Sequence, residues 1–322
     1  MCKYFTIGID IGGTNTEFGL VNADGRIVSR HKIKTWDSQT AEEFIEVLTC
    51  NIRALLSEVK SPDSVIGVGI GAPNGNYISG TIEHAPNLPF KGIIELKKEL
   101  EAKFQDISGL KILLTNDANA AAMGEMTYGK AKKDQVKDFI MITLGTGVGS
   151  GVVVDGKLVY GYSGFAGEIG HTMVGNSKRQ CTCGKQGCLE TFASASGIVT
   201  SAIGLMKNTD LQTPLRDVPT DQLTCEMIGN AAQQNDELAL KCFDLAMKKL
   251  GFALSNACAI TSPKTIYLFG GLTKVGDVML TPLRQYLEDN LYVTIKGTVN
   301  VEFSGLNEGD AAILGASSLV LN

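Results

Sequence analysis

The feature that most constrains this chain is a pattern written twice. IGIDIGGTNTEFGLVNADGRIV, from Ile7 to Val28, reads as two apolar strands joined by a glycine-rich turn. A second turn at Asn22-Ala23-Asp24-Gly25 leads into a third strand. FIMITLGTGVGSGVVVDGKLV, from Phe139 to Val159, repeats the arrangement. A shift of 132 residues lays Gly145-Thr146 on Gly13-Thr14 and Gly151 on Gly19. Asp155-Gly156 then answers Asp24-Gly25 with one residue fewer in between. Two glycine-rich hairpins can coincide, but here strand pattern, Gly-Thr and closing Asp-Gly agree together. The recurrence implies two similar α/β domains facing one another across a cleft.

The remaining chain alternates helices with strands. Ala41 to Lys60 carries Phe44, Val47, Leu48, Ile52, Leu55 and Leu56 at helical spacing, and Pro62 follows its end. Val65 to Gly71 reads as a buried strand, Ile93 to Phe104 as a helix, Lys111 to Thr115 as a strand and Asn116 to Gly129 as an alanine-rich helix. Gly197 to Lys207 and Thr224 to Ile260 are helical, the latter turning at Asn235-Asp236. Thr265 to Phe269 is a strand ending in Gly270-Gly271, and Gly309 to Val320 is a closing helix with Asp310 as its candidate cap. At 322 residues the length suits two domains. A net charge of −5 offers no basic field for nucleic acid. No apolar stretch reaches the ~20 residues of a membrane span. The first strand begins at Lys3, leaving no room for a signal peptide, so a reducing cytoplasm is expected. Cys2, Cys50, Cys225, Cys242 and Cys258 stand singly and read as structural.

Asp10-Ile11-Gly12-Gly13-Thr14 follows an apolar strand directly. Glycines let backbone N–H groups approach an anion, and the threonine hydroxyl adds a donor. Asp10, at the strand end, is placed to hold Mg²⁺ or its water. Gly145-Thr146-Gly147 repeats the cradle, and two such turns suit a polyphosphate. The Walker signature is absent. Gly67-Val68-Gly69-Ile70-Gly71-Ala72 matches a loose dinucleotide pattern, but Pro73 argues against a nucleotide-binding helix there, which leaves a dehydrogenase as a weak rival.

His171, Cys181, Cys183 and Cys188 give H-x9-C-x-C-x4-C within polar, glycine-containing sequence unsuited to a core. Four nitrogen and sulfur donors of this kind fit a tetrahedral Zn²⁺, with redox chemistry or a disulfide as the alternatives. Four protein ligands close the shell, so the zinc would be structural and would clamp the segment bearing Glu168 and Glu190. Each glutamate reads either as a ligand contact or as a solvated loop carboxylate. Thr115-Asn116-Asp117-Ala118-Asn119-Ala120 places an aspartate where a strand gives way to a helix. It reads equally as an N-cap and as a base that accepts a hydroxyl proton in phosphoryl transfer.

Together these residues resemble the ROK family of bacterial repressors, open reading frames and sugar kinases. The resemblance spans essentially the whole chain: Asp10 to Thr14, Asn116 to Ala120, Leu144 to Gly149, Gly167 to His171, and Cys181-x-Cys183-Gly184-x-x-Gly187-Cys188-Leu189-Glu190. It implies the actin-like, hexokinase-like (ribonuclease H-like) α/β ATPase fold. It also implies Asp117 as catalytic base, with Asn87, Asn116, Glu168, His171 and Glu190 contacting the sugar. The phosphates of ATP, with Mg²⁺, would meet Asp10, Gly12, Gly13, Thr14, Gly145, Thr146 and Gly147. Gly270 and Gly271 would lie near the adenosine. Homodimers or homotetramers are expected. One departure is Gly71-Ala72-Pro73-Asn74-Gly75-Asn76-Tyr77, where members often read Gly-x-Pro-Gly-Pro, so the sugar-side loop has its own sequence.

The expected domains are 1–117 with 305–322, and 118–304 with a zinc segment at 171–188. The expected activity is phosphorylation of glucose to glucose 6-phosphate, because Cys188 to Ile198 is most similar to the family's glucokinases. N-acetylmannosamine, N-acetylglucosamine, allose and fructose are the alternative substrates. A non-catalytic sugar sensor is the alternative class, although such a protein would be expected to lose Asp10 or Asp117. The helix-turn-helix of the family's repressors is not expected ahead of a first strand that starts so early.

Overall fold

The computed structural model describes residues 4–321. The chain divides into two compact units. One runs to Lys137 and takes up Gly151–Ala166 and the stretch from Gly305; the other comprises Asp138–Ser150 and Gly167–Ser304. The first unit is thus wider than 1–117 plus 305–322.

In the first unit, strands β1 (Phe5–Ile11), β2 (Asn15–Asn22) and β3 (Ile27–Lys34) precede helix α1 (Ala41–Ser57) and strand β4 (Val65–Ala72). Short strands β5 (Gly75–Asn76), β6 (Thr81–Glu83) and β7 (Ile93–Ile94) lead to helix α2 (Leu96–Lys103), strand β8 (Lys111–Asn116) and helices α3 (Asp117–Tyr128) and α4 (Lys130–Lys133). Strands β9 (Phe139–Leu144), β10 (Val148–Val154) and β11 (Lys157–Leu158) follow. Helices α5 (Glu190–Ala193), α6 (Ala195–Asn208), α7 (Cys225–Gln233) and α8 (Glu237–Thr261), strand β12 (Thr265–Phe269), helix α9 (Asp277–Asn290), strand β13 (Asn300–Phe303) and helix α10 (Glu308–Ser318) complete the order.

The repeated sequence pattern folds into repeated topology. One five-stranded sheet has the order β3-β2-β1-β4-β8, the other β11-β10-β9-β12-β13. In each, an antiparallel hairpin edge gives way to parallel strands, β1 with β4 and β8 in one, β9 with β12 and β13 in the other. The hairpin turns sit where the glycines predicted, with positive φ at Gly25, Asp155 and Gly156. Strand–helix alternation and two sheets of matching order agree with the α/β architecture that the resemblance implies.

The core of the first unit is apolar and closed: Ile7, Ile9, Phe18, Phe44, Leu48 and Ile70 are fully buried. Helix α10 lies against β1 and β4 at backbone distance. A Cβ on Gly8 would fall 2.0 Å from the Ile313 carbonyl oxygen, and one on Gly69 would fall 1.9 Å from that of Ala316. No side chain fits between helix and sheet at these points.

Three local expectations change. Ile93–Ile94 is not helical; it pairs with β6, Ile94 opposite Ile82, and the helix starts only at Leu96, after the non-helical backbone of Glu95. Asp310 does not cap α10. Asn307, immediately before the first helical residue, accepts the Gly309 N–H at 3.1 Å, and Asp310 pairs instead with Arg30. Cys242 and Cys258 are buried, and Cys225 is half-buried, but Cys50 on α1 is exposed. Cys2 lies outside the described residues.

The packing of α10 yields a direct expectation. Gly69→Ala forces overlap with helix backbone and should cost at least about 1–3 kcal/mol. Gly204→Ala, on α6 with open space around it, should be neutral or stabilising by roughly 0.5–1 kcal/mol. Thermal unfolding of both variants checks this; an unchanged Gly69→Ala would contradict the close contact.

Candidate active site

The candidate residues fall into two groups, one in each unit. In the first unit they gather at the carboxyl ends of three parallel strands, where α/β sheets commonly place ligands. Asp10 on β1 lies opposite Gly71 on β4, and Gly71 lies opposite Thr115 on β8. A Cβ on Gly71 would sit 3.3 Å from Ala120 Cβ and 3.9 Å from both Asp10 Oδ1 and the Asp117 Cα, so the glycine lies between the two acidic residues. Burial, and then the charges of Asp117 and Glu17, raise the Asp10 carboxyl to about 7. Surrounding protein also raises Asp117, against the Ala118 N–H that its Oδ1 accepts at 2.8 Å. Water nonetheless reaches the Asp117 side chain. Two carboxylates crowded in this way fit a hard divalent cation, with Asp10 as its natural holder.

The capping question resolves by one residue. Asn116 is the N-cap of α3, its Oδ1 accepting the Asn119 N–H at 2.7 Å. Asp117 is the first helical residue, and its Oδ1 takes the N–H of its neighbour Ala118.

The Gly12–Thr14 turn is held from behind. Gly12 N–H donates to the Asn15 carbonyl at 2.9 Å. The Gly12 carbonyl accepts from Thr35 Oγ1 at 2.8 Å, that of Gly13 from Trp36 Nε1 at 2.6 Å, and that of Thr14 from the Thr35 N–H at 3.0 Å. Asn87 closes on the same turn: a Cβ on Gly13 would lie 3.1 Å from Asn87 Cβ. Lys91 wraps the loop that carries Asn87, its Nζ donating to the carbonyls of Ala85, Pro86 and Leu88 at 3.4, 2.9 and 2.7 Å. The departing stretch after Gly71 is anchored too. Asn76 Nδ2 donates to Glu83 Oε1 and to the Ser163 carbonyl, each at 2.9 Å, and Tyr77 stacks on Tyr160 with centroids 4.1 Å apart.

In the second unit the equivalent strand ends carry the other group. β9 runs into Gly145-Thr146-Gly147, and β12, parallel to it, runs into Gly270-Gly271. Gly270, at φ 107°, backs onto β9; a Cβ there would lie 2.5 Å from the Leu144 carbonyl oxygen. Helix α6, capped by Ser194, starts against the glycine turn: Ala195 N–H donates to the Gly145 carbonyl at 2.9 Å. Glu190 reaches the same turn. Its Oε2 accepts the Val148 N–H at 3.0 Å and occupies the space a Cβ on Gly147 would need. Glu168 lies at the entry to the short turn Ile169–His171, which Ser150 pins to β10 by accepting the Ile169 N–H at 3.0 Å.

The donor atoms of His171, Cys181, Cys183 and Cys188 lie within 4.8 Å of one another. Cys181 Sγ is 3.6 Å from His171 Nδ1, and Cys183 Sγ is 3.6 Å from Cys188 Sγ. Bonds of about 2.3 Å around a tetrahedral zinc give edges of roughly 3.7 Å, so the donor set fits Zn²⁺ in kind and spacing. Nδ1 faces the sulfurs, which directs Nε2 to the opposite edge of the ring. The cluster also connects to the glutamate, since Cys181 Sγ is 3.6 Å from Glu190 Oε1.

Sequence reasoning passed over Trp36, Lys91 and the α6 N-terminus at Ser194. Trp36 gave the clearest signal, being the one tryptophan of the chain and set in polar sequence just after a strand. Lys91 gave none, since a lysine between turns is ordinarily a solvated charge.

The model of the ROK family matches residues 6–322. A glucokinase of Halalkalibacterium halodurans is 35% identical, covering 99% of this chain and 96% of its own. The crystal structure of a ROK family glucokinase from Streptomyces griseus, in complex with glucose and AMPPNP, superposes with a TM-score of 0.76 at 32% identity, covering 98% of both chains. A xylose repressor of Caldicellulosiruptor bescii is 28% identical over 98% of this chain and 78% of its own.

Purified without added metal, the protein should carry about one Zn²⁺ per chain by metal analysis. Cys188→Ser should lower both zinc content and melting temperature. A small fraction of zinc, with no gain on adding the metal, would sink the assignment.

Proposed function

The chain belongs to the ROK family, and from that premise we propose that it is an ATP-dependent hexose kinase whose sugar is glucose. The observation that carries the reading is the placing of Asp10 and Asp117 at neighbouring strand ends on either side of Gly71, beside a glycine turn. A sensor that only bound sugar would be expected to have lost Asp10 or Asp117, and both are present. The likeness to glucokinases, one of them solved with glucose and AMPPNP, supports the choice of sugar and donor.

In the proposed reaction Asn87, Asn116, Glu168, Glu190 and His171 Nε2 hold the sugar hydroxyls. The turns Gly12–Thr14 and Gly145–Gly147 take the nucleotide phosphates, and Gly270-Gly271 lies by the adenosine. Mg²⁺ brought with the nucleotide, held through Asp10, would neutralise phosphate charge. The sugar O6 forms the new bond to the γ-phosphorus, the bond to the bridging oxygen breaks, and ADP leaves. The O6 proton passes to Asp117, whose main task is to orient the hydroxyl. His171 and the three cysteines would hold Zn²⁺, which would keep the Glu168–Glu190 strap in shape and, with four protein ligands, would leave no open position for chemistry. We further propose that the protein acts in the cytoplasm as a homodimer or homotetramer.

A coupled ADP-release assay across glucose, mannose, fructose, allose, N-acetylglucosamine and N-acetylmannosamine tests the reading. Glucose should give the highest kcat/KM, and Asp117→Asn should lose at least about 10²-fold in kcat with its fold intact, the scale of a lost general base. Sugar binding without ADP release would instead indicate a sensor.

The raised carboxylates set the sign of the pH dependence. Both must be ionised to work, and a raised pKa keeps the inactive protonated form to higher pH. The kcat/KM should therefore fall on the acid side of about 7. The limb for kcat should lie at lower pH, because bound cation favours the ionised pair. A kcat/KM flat down to about pH 5 would contradict this.

A further inference from the structure

The turn Gly12-Gly13-Thr14 would bind phosphates through its N–H groups, and something must keep those groups facing outward. All peptide bonds of the described residues are trans. In a trans peptide the carbonyl of one residue and the N–H of the next point in opposite directions. Fixing the Gly12 carbonyl on Thr35 Oγ1 therefore aims the Gly13 N–H away from the segment after β3, and fixing the Gly13 carbonyl on Trp36 Nε1 aims the Thr14 N–H the same way. Neither N–H donates to a backbone carbonyl among the described residues.

The two supports differ in kind. Thr35 is buried and shares its hydroxyl with Thr16 Oγ1 at 2.9 Å, so it belongs to the packed hairpin. Trp36 is 54% exposed. Trp36 is only half covered, and what it offers that another aromatic ring such as phenylalanine cannot is the single N–H donor of the indole. Its bond to Gly13 is short, at 2.6 Å, and ties the turn to the chain just beyond β3.

We propose that Trp36 is a positioning residue for the phosphoryl donor, holding the Gly13–Thr14 peptide so that its N–H meets the nucleotide phosphates. The inference rests on the kinase reading. As the one tryptophan in the chain, Trp36 also makes the occupancy of this turn visible in the protein's own fluorescence. Binding of polyphosphate alters the environment of the indole through the shared peptide; binding of a nucleoside without phosphates does not.

The test compares wild type, Trp36→Phe and Trp36→His. Phenylalanine keeps an aromatic ring without a donor, and histidine restores an N–H. Trp36→Phe should raise the KM for Mg-ATP about 5-fold, the weight of one hydrogen bond, with the glucose KM and melting temperature unchanged. Trp36→His should recover part of the loss. In wild type, Mg-ATP and magnesium tripolyphosphate should shift the tryptophan emission and adenosine should not. An unchanged Mg-ATP KM in Trp36→Phe overturns the proposal. So does a rise of both KM values with a lowered melting temperature, which marks a merely structural role, or an equal response to adenosine. If wild type binds Mg-ATP tightly yet phosphorylates no sugar, the kinase reading fails while the positioning role is still judged by Mg-ATP affinity. If it binds no Mg-ATP, both fall.

Discussion

Helix α10 meets the first sheet backbone against backbone, and the geometry of that unit follows from this contact. Gly8 on β1 and Gly69 on β4 admit the carbonyls of Ile313 and Ala316 where any side chain would overlap them. The contact is repeated on the helix's other side, where a Cβ on Gly315 would lie 2.5 Å from the Ala120 carbonyl oxygen. Sheet, α10 and α3 are thereby locked at fixed spacing. Asp10 is the last residue but one of β1 and Asp117 opens α3, so this same spacing bears on how far apart the two carboxylates stand. A helix nudged outward by one methyl group would carry α3 with it.

Both units present a glycine turn in the same way. A parallel strand ends in the turn, and the turn's backbone is tied back by neighbouring groups, an arrangement that leaves N–H groups for an anion. The backing differs, however. Thr35 and Trp36 support the first turn, while Glu190 and the start of α6 support the second. Glu190 follows Cys188 and Leu189 directly, so the cysteine cluster and the second turn share a short piece of chain. A structural metal there would act on the glycine turn through Glu190 as well as on the segment that bears Glu168.

Much of this was legible in the sequence because glycine and metal-ligand spacing are local signals. The duplicated hairpin became two sheets of matching strand order, and the cysteine spacing became a cluster of four donors. What escaped depended on distant partners. Ile93-Ile94 carries no mark that β6 will pair with it. Asp310 is as good a cap by type as Asn307, and only its place inside the helix, opposite Arg30, decides otherwise. Lys91 gains its role from three carbonyls that its own loop folds around it, and Trp36 from a turn 23 residues earlier. Whether Asp117 or its neighbour caps α3 could not be told until the helix start was known to the residue.

The proposed chemistry delivers phosphate to a sugar hydroxyl and not to water. Phosphorus-31 NMR of Mg-ATP with glucose and the protein distinguishes the two acceptors directly. Each ADP formed should be matched by one phosphate ester at the sugar O6. Inorganic phosphate in place of the ester, or ATP left intact, would contradict the kinase assignment.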